Sequence, residues 1–291
     1  MSTQTISIFL GSFAMVGWGV SDYLAKRVIG RAGSYRTMVY SDLVGLLPLF
    51  ALFLVQGNFW STSGAIGLAF ISGIIHAIVV YTFYTALNSG KASIVSPLGS
   101  AWGAVSILIS VTFLGETLNL VEAALIAFIL LGAIMTSYEP SSSDRRRPHP
   151  AVFLAATSAI VAGVNAILIK FVTLQLGEVG AVFYVRTFAA MAMLPGFLII
   201  SRKASLTPRA LGSRCWIFLI GIGVFNALGF VAYAAGLAGG DIAIVVPVAA
   251  SSPAITVVLA EILLKERIHL HQIMGVFMVL AGVVFLSVAS L

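Results

Sequence analysis

Ten stretches of about twenty predominantly apolar residues run along the chain. They lie near 6–26, 34–55, 64–87, 92–114, 119–138, 150–170, 179–200, 214–237, 242–264 and 268–289. A helix of that length crosses the hydrocarbon core of a bilayer, so the pattern predicts ten membrane spans. Most connections are short and carry turn residues, such as Asn88-Ser89-Gly90 and Gly239-Gly240-Asp241. The one long polar connection, Ser141 to Pro150, contains Arg145, Arg146 and Arg147. It divides the chain into residues 1–140 and 150–291, with 141–149 as a basic linker.

The two halves repeat. Gly19, Val20, Leu24 and Lys26 align with Gly163, Val164, Leu168 and Lys170. Gly33, Leu47 and Pro48 align with Gly180, Leu194 and Pro195, and Pro97, Glu116, Leu120 and Gly132 with Pro247, Glu266, Leu270 and Gly282. The offset drifts from 144 through 147 to 150 residues, as small loop insertions would cause. Each copy holds five spans, and an odd number sets the second copy into the membrane upside down. The predicted fold class is an all-α integral membrane protein of two inverted five-helix repeats, the architecture of secondary transporters.

Composition removes the soluble alternatives. Hydrophobic residues make up 60% and charged residues 9% of the chain, and its mean hydropathy is +1.08. So apolar a sequence leaves too little polar surface for water. The net charge of +6 does not point to nucleic acid, because the basic residues sit in short connections between spans. The single Cys215 excludes an internal disulfide. Ile6 to Leu24 lacks a basic leader and has a repeat-mate in mid-chain, so it reads as a retained helix.

Charge placement sets an orientation. Lys26, Arg27, Arg31 and Arg36 flank the first connection, Lys91 lies in the third, and the linker arginines in the fifth. Arg202, Lys203, Arg209 and Arg214 flank the seventh, and Lys265 and Arg267 the ninth. All lie on one side; the other side has Lys170, with Arg186 inside a span. The positive-inside rule makes the basic side cytoplasmic and puts both termini outside.

Together these residues resemble the EamA type of the drug/metabolite transporter superfamily. The resemblance rests on Trp18-Gly19 with Lys26, Arg186 followed by Leu194-Pro195, Pro97 leading to Leu114-Gly115-Glu116, and Pro247 leading to Lys265-Glu266-Arg267. Gly132 and Gly282 complete it, and it covers nearly the whole chain. It implies a ten-helix transporter of small organic solutes, with the fifth and tenth spans away from the pathway and Arg186 structural. Two departures stand out. Many members of the family are drawn with cytoplasmic termini, against the charge placement here, and Asp22 stands where the family pattern is apolar.

Ionisable groups within spans cost about 2.5–3.5 kcal/mol on insertion scales, so each is a candidate. Asp22 either pairs with Lys26 one turn later or serves as a proton or substrate-amine site, and it is the coupling candidate. Asp42, with Arg36 and Tyr40 nearby in sequence, reads as part of a structural ion pair. Glu261 reads as a snorkelling carboxylate near Lys265. Glu116 and Glu266 occupy repeat-related helix ends, and their duplication argues for helix termination and loop packing. The substrate-binding candidates are Trp18, Ser21, His76, Tyr81, Tyr84, Ser100, Trp102, Asn165, Asn226, Tyr233 and Ser251. His76 and Asn226 are repeat-mates at one depth, while Pro97 and Pro247 are structural positions that each free a backbone carbonyl. This mixed aromatic and hydroxyl lining suits a small amphipathic metabolite.

No phosphate loop, metal motif or nucleophile elbow occurs, so the sequence predicts no enzyme activity, no cofactor and no metal. The expected partners are a small-molecule substrate and the lipid bilayer. One chain carries both repeats, so a monomer suffices and a homodimer stays open. The expected function is export of amino acids or related metabolites by alternating access, proton-coupled or by exchange, in a prokaryotic plasma membrane. Nutrient uptake by the same fold and a non-transporting receptor or scaffold are the alternatives.

Overall fold

The computed structural model describes residues 2–56, 63–89, 99, 101–137, 150–203, 212–264 and 269–289. Among them every regular element is helical: α1 (Thr3–Ala32), α2 (Ser34–Gln56), α3 (Ser63–Ser89), α4 (Trp102–Phe113) and α5 (Leu120–Ser137) in the first half. The second half holds α6 (Pro150–Lys203), α7 (Ser213–Gly239), α8 (Ile242–Ala250), α9 (Ser252–Leu264) and α10 (Leu270–Ala289). Six helical stretches, including Thr3–Ala32 and Ser213–Gly239, are long and apolar enough to cross a membrane, and shorter apolar helices accompany them.

The boundaries differ instructively from those expected. α1 continues to Ala32, so Lys26, Arg27 and Arg31 ride on its last turns and not in a loop. Gly33, at φ 78°, is the one residue between α1 and α2. The 54-residue α6 contains two expected spans with no loop between them, and its helical geometry breaks only at Gly177, φ 71°. Both breaks need the left-handed region that glycine alone enters cheaply. Gly177 lies 144 residues after Gly33, so it, and not Gly180, is the structural repeat-mate of Gly33. The ninth expected span is also interrupted: α8 and α9 part at Ser251.

Packing follows the internal symmetry. α1 lies antiparallel on α7, with Ser7 against Gly240 at one end and Ser21 reaching the Ile222 carbonyl toward the other. α3 runs antiparallel to the first arm of α6 in the same manner: Ala65 and Ala69 pack with Val172 and Leu176, and Ala86 packs with Ala151 and Ala155. On α7, a Cβ at Gly223 would stand 2.5 Å from the Ser41 carbonyl and 2.8 Å from the Gly45 amide. On α3, a Cβ at Gly73 would stand 2.7 Å from the Val185 carbonyl and 3.1 Å from the Ala189 amide. Small residues thus let helices cross backbone to backbone, where lipid supplies no hydrophobic drive. The contacts also fix the repeat register here at 144, pairing Ser41 with Val185 and Gly45 with Ala189.

α8 forms the centre of the bundle, and all nine of its residues are buried. α5 and α10 pack on each other at the edge, where Gly132 and Gly275 meet so closely that a Cβ on either would reach the other's carbonyl within 2.8 Å. Their N-termini are built alike. Asn119 and Glu122 exchange bonds between side chain and amide, and the Gln272 side chain accepts from the His269 amide. Phe128, Leu131, Phe277 and Phe285 point outward, as lipid-facing residues do. No residue of α5 or α10 lines the internal cavity described below. Cysteines introduced along either helix, after replacement of Cys215, are expected to resist membrane-impermeant thiol reagents. Labelling that recurred every third or fourth residue along α5 would refute a peripheral position.

Candidate solute-binding cavity

A cavity of about 260 Å³ lies between the two halves. Its wall takes Trp18 and Asp22 from α1, Ser41 and Asp42 from α2, and His76, Phe83 and Tyr84 from α3. The second half contributes Ser158, Asn165 and Arg186 from α6, Asn226, Phe230 and Tyr233 from α7, and Ser252 and Pro253 from α9. These positions lie late on α1, early on α2, late on α3 and early on α6. The cavity therefore occupies the middle of the bundle and the end at which α1 gives way to α2.

At its centre is a buried charge cluster. Arg186 forms a salt bridge with Asp42, and both side chains are under a tenth exposed. It also faces His76 Nε2 at 3.3 Å. A guanidinium has donors only, so this nitrogen accepts and the histidine proton sits on Nδ1. The Arg186 guanidinium also stands 5.5 Å from the centre of the Phe230 ring. Asp42 and Arg186 are 144 residues apart, the repeat offset of this region, so the pair joins two symmetry-related positions. Side chains that touch their own repeat-mates lie on the pseudo-two-fold axis.

Beside the cluster stand four rings. Trp18 meets Tyr233 at 5.3 Å, Phe230 at 5.4 Å and Trp102 at 6.2 Å between centroids. Several polar atoms here have no hydrogen-bond partner among the described residues: Trp18 Nε1, Asp42 Oδ2, Arg186 Nε, Asn226 Oδ1 and Tyr233 OH. All five belong to cavity-lining residues. A buried polar atom without a partner costs about 1–3 kcal/mol, so such atoms converging on one space mark where water or a solute is held.

The structure brings Trp18, Asp22, His76, Tyr84, Trp102, Asn165, Asn226 and Tyr233 to the cavity, and it adds Asp42 and Arg186. Three expected lining residues lie elsewhere. Ser21 is turned toward α7 and bonds the Ile222 carbonyl at 3.4 Å. Tyr81 lies about 140° around the helix from His76 at 100° per residue, and packs edge-on against Tyr35. Ser251 bonds back to the Pro247 carbonyl one turn earlier at 2.7 Å. Asp42 takes Arg186 as its partner, not Arg36; Tyr40 packs on Phe197 and Trp216. Ser100, Pro97, Glu266 and the 141–149 linker lie outside the described residues. Phe230 was legible as one face with Ile222, Asn226 and Tyr233, at helical spacing, but its apolar character hid it.

The opposite end of the bundle carries a hydrogen-bonded clasp. α4 ends at Gly115, φ 70°, which turns the chain so that Glu116 leaves the helix toward α8. Its carboxylate accepts the amides of Ile242 and Ala243 at 2.9 Å each, and Lys170 donates to it at 3.0 Å. Lys170 also donates to the Gly240 carbonyl at 3.1 Å. Asp241, at the N-cap position of α8, makes no capping bond and is held instead by Gln4 at 2.7 Å. A carboxylate from the first half thus caps a helix of the second, where unpaired amides and the helix dipole favour negative charge. Burial pushes the Glu116 carboxyl up, but the two amides and Lys170 outweigh it and hold it below its ordinary value. Lys170, the cation on this side of the charge pattern, is accounted for by this clasp.

A polytopic helical protein with two pseudo-symmetric halves around a polar-and-aromatic cavity has the build of a membrane carrier. The chain belongs to the EamA-like transporter family, which matches residues 5–138 and again 149–288, and so to the drug/metabolite transporter superfamily. An uncharacterized protein of Methanocaldococcus jannaschii is 34% identical over 132 residues, which cover 45% of this chain and 96% of that protein. That relative is therefore about the length of one repeat. A crystal structure of another protein shares the fold, with a TM-score of 0.79 over 98% of this chain and 97% of that one, at 16% identity.

Proposed function

We propose that the protein is a secondary transporter that exports a small organic solute, an amino acid or a related metabolite, across a prokaryotic plasma membrane. The observation that carries this reading is the convergence of five unpartnered polar atoms on one cavity between the repeats. Both repeats supply its wall, so a relative tilt of the two halves alters access to it. Family membership points to a transporter and away from an enzyme. The buried α8 and the Glu116 clasp tie the halves together at one end, while the cavity reaches toward the other. Alternating access then requires the clasp to part as the basic end closes. Asp22 stands exposed on the cavity wall with no ion pair to Lys26 among the described residues, which keeps it as the coupling candidate.

Thermal stabilisation over a metabolite panel tests the binding half of this reading. A bound solute at a hundred times its Kd should stabilise the purified protein by about 2.7 kcal/mol, and Asn226→Ala should remove most of that gain. A panel without effect, or a gain untouched by Asn226→Ala, would contradict a solute site in this cavity. The direction of export rests on orientation. Reporter fusions after Leu291 and within Arg145–Arg147 should report opposite compartments, the linker cytoplasmic. A cytoplasmic C-terminus would reverse the side to which the cavity is assigned.

A further inference from the structure

Resting on the reading of the cavity as a solute site, we infer that it selects an organic ammonium with an apolar, ring-sized body, held through its charge by Asp22. Arg186 is engaged by its repeat-mate Asp42 and by His76, and its guanidinium stands over the Phe230 ring. It is the one cation lining the cavity among the described residues, and its charge is already balanced by Asp42. Asp22 has neither a salt bridge nor a hydrogen bond among the described residues, and Lys26, one turn later, does not come within ion-pair distance. One carboxylate is paired and the other is not, so the lining holds one more carboxylate than cation.

The acceptors and rings on the wall point the same way. Of the five unpartnered atoms, Trp18 Nε1 and Arg186 Nε donate, while Asp42 Oδ2, Asn226 Oδ1 and Tyr233 OH can accept, and an ammonium offers two or three donors to these three. The rings of Trp18, Trp102, Phe230 and Tyr233 stand within 5.3–6.2 Å of their neighbours and present faces and edges to one space. Aromatic faces attract cations and repel anions, and they bury the apolar body of the solute in the same contact. A zwitterionic amino acid would bring its carboxylate beside an unpaired Asp22 with no free cation to receive it. The amine without the carboxylate is the better fit.

A matched series tests this with the purified full-length protein: phenethylamine, phenylalanine, 3-phenylpropionate and 2-phenylethanol, measured by equilibrium binding near neutral pH. Phenethylammonium should bind at least about tenfold more tightly than the zwitterion or the anion, a difference of about 1.4 kcal/mol. Asp22→Asn should bring the ammonium to within about threefold of the neutral alcohol, and Asp22→Glu should keep the preference. The alcohol, which does not use the charge, reports that the Asp22→Asn protein is folded and its cavity intact. Tighter binding of the anion or zwitterion, an unchanged preference in Asp22→Asn, or no binding of the ammonium would each overturn the inference. Binding needs no membrane. A protein that moved 3-phenylpropionate across vesicles would sink this inference alone, and one that bound the ammonium but moved nothing would sink the transport reading alone.

Discussion

Replacing Arg186 with methionine is expected to destabilise the protein by about 3–5 kcal/mol, enough to abolish a monodisperse preparation in detergent. The methionine that replaces it is similar in length and apolar, so packing changes little. What remains is the Asp42 carboxylate, under a tenth exposed and without its counter-ion, and His76 Nε2 without its donor. The same argument predicts rescue. Adding Asp42→Asn removes the stranded charge, and the double variant should recover most of the lost stability even though it has two changes. Arg186→Lys should fall between, because one ammonium does not reproduce the fork that reaches both Asp42 and His76. Chemical unfolding of the four proteins in one detergent measures all of this. A single Arg186→Met variant within about 1 kcal/mol of the parent would mean that the axial pair contributes no more than a surface ion pair.

The second large effect is expected at Glu116. Its substitution by alanine removes the acceptor of two α8 amides and leaves Lys170 with one carbonyl partner. Helix caps contribute about 0.5–2 kcal/mol and hydrogen bonds to charged groups about 1.5–3 kcal/mol each, so a loss of about 2–4 kcal/mol is expected. The loss should be local before it is global: hydrogen exchange at Ile242 and Ala243 should accelerate while α3 and the first arm of α6 stay protected. Acid should imitate the substitution. The Glu116 carboxyl is held below its ordinary value of 4.5, so the clasp contributes in full above that pH. Its contribution fades as pH falls through the lowered value, where the protonated acid no longer attracts the amides or Lys170. The parent should therefore lose the stability gap over Glu116→Ala as the pH drops below about 4.5. A gap independent of pH down to the acid limit of folding would assign the effect to packing.

The spans, their number and the repeat were legible because a bilayer imposes length and hydropathy on every crossing segment, and these survive in a single sequence. Cavity residues were legible where a polar side chain stood out within an apolar helix, as His76, Asn165 and Asn226 do. Helical phase then decided which of them face the cavity. Tyr81 lies off the cavity because its direction differs from that of His76 by over a third of a turn, and Phe230 was passed over because an apolar ring is unremarkable on an apolar helix. The Asp42–Arg186 pair was illegible for another reason. Matching Pro48 with Pro195 shifted the register by three residues, and only the backbone contacts at Gly73 and Gly223 restored the offset that makes the two charges repeat-mates. Glu116 was visible as a helix-end residue, but its target is the first turn of α8, more than a hundred positions later. No local pattern announces a cap supplied by another helix.

Flux through the cavity tests the account most directly. Purified protein is reconstituted into vesicles loaded with a mixture of small organic solutes, without nucleotide, and the external solution is read by mass spectrometry over time. The account predicts that at least one solute leaves faster than from protein-free vesicles, that a proton gradient changes its rate, and that Asp22→Asn removes the response to the gradient. If every solute left at the protein-free rate from vesicles of verified, folded protein, the cavity would not be a transport site and the central claim would fail.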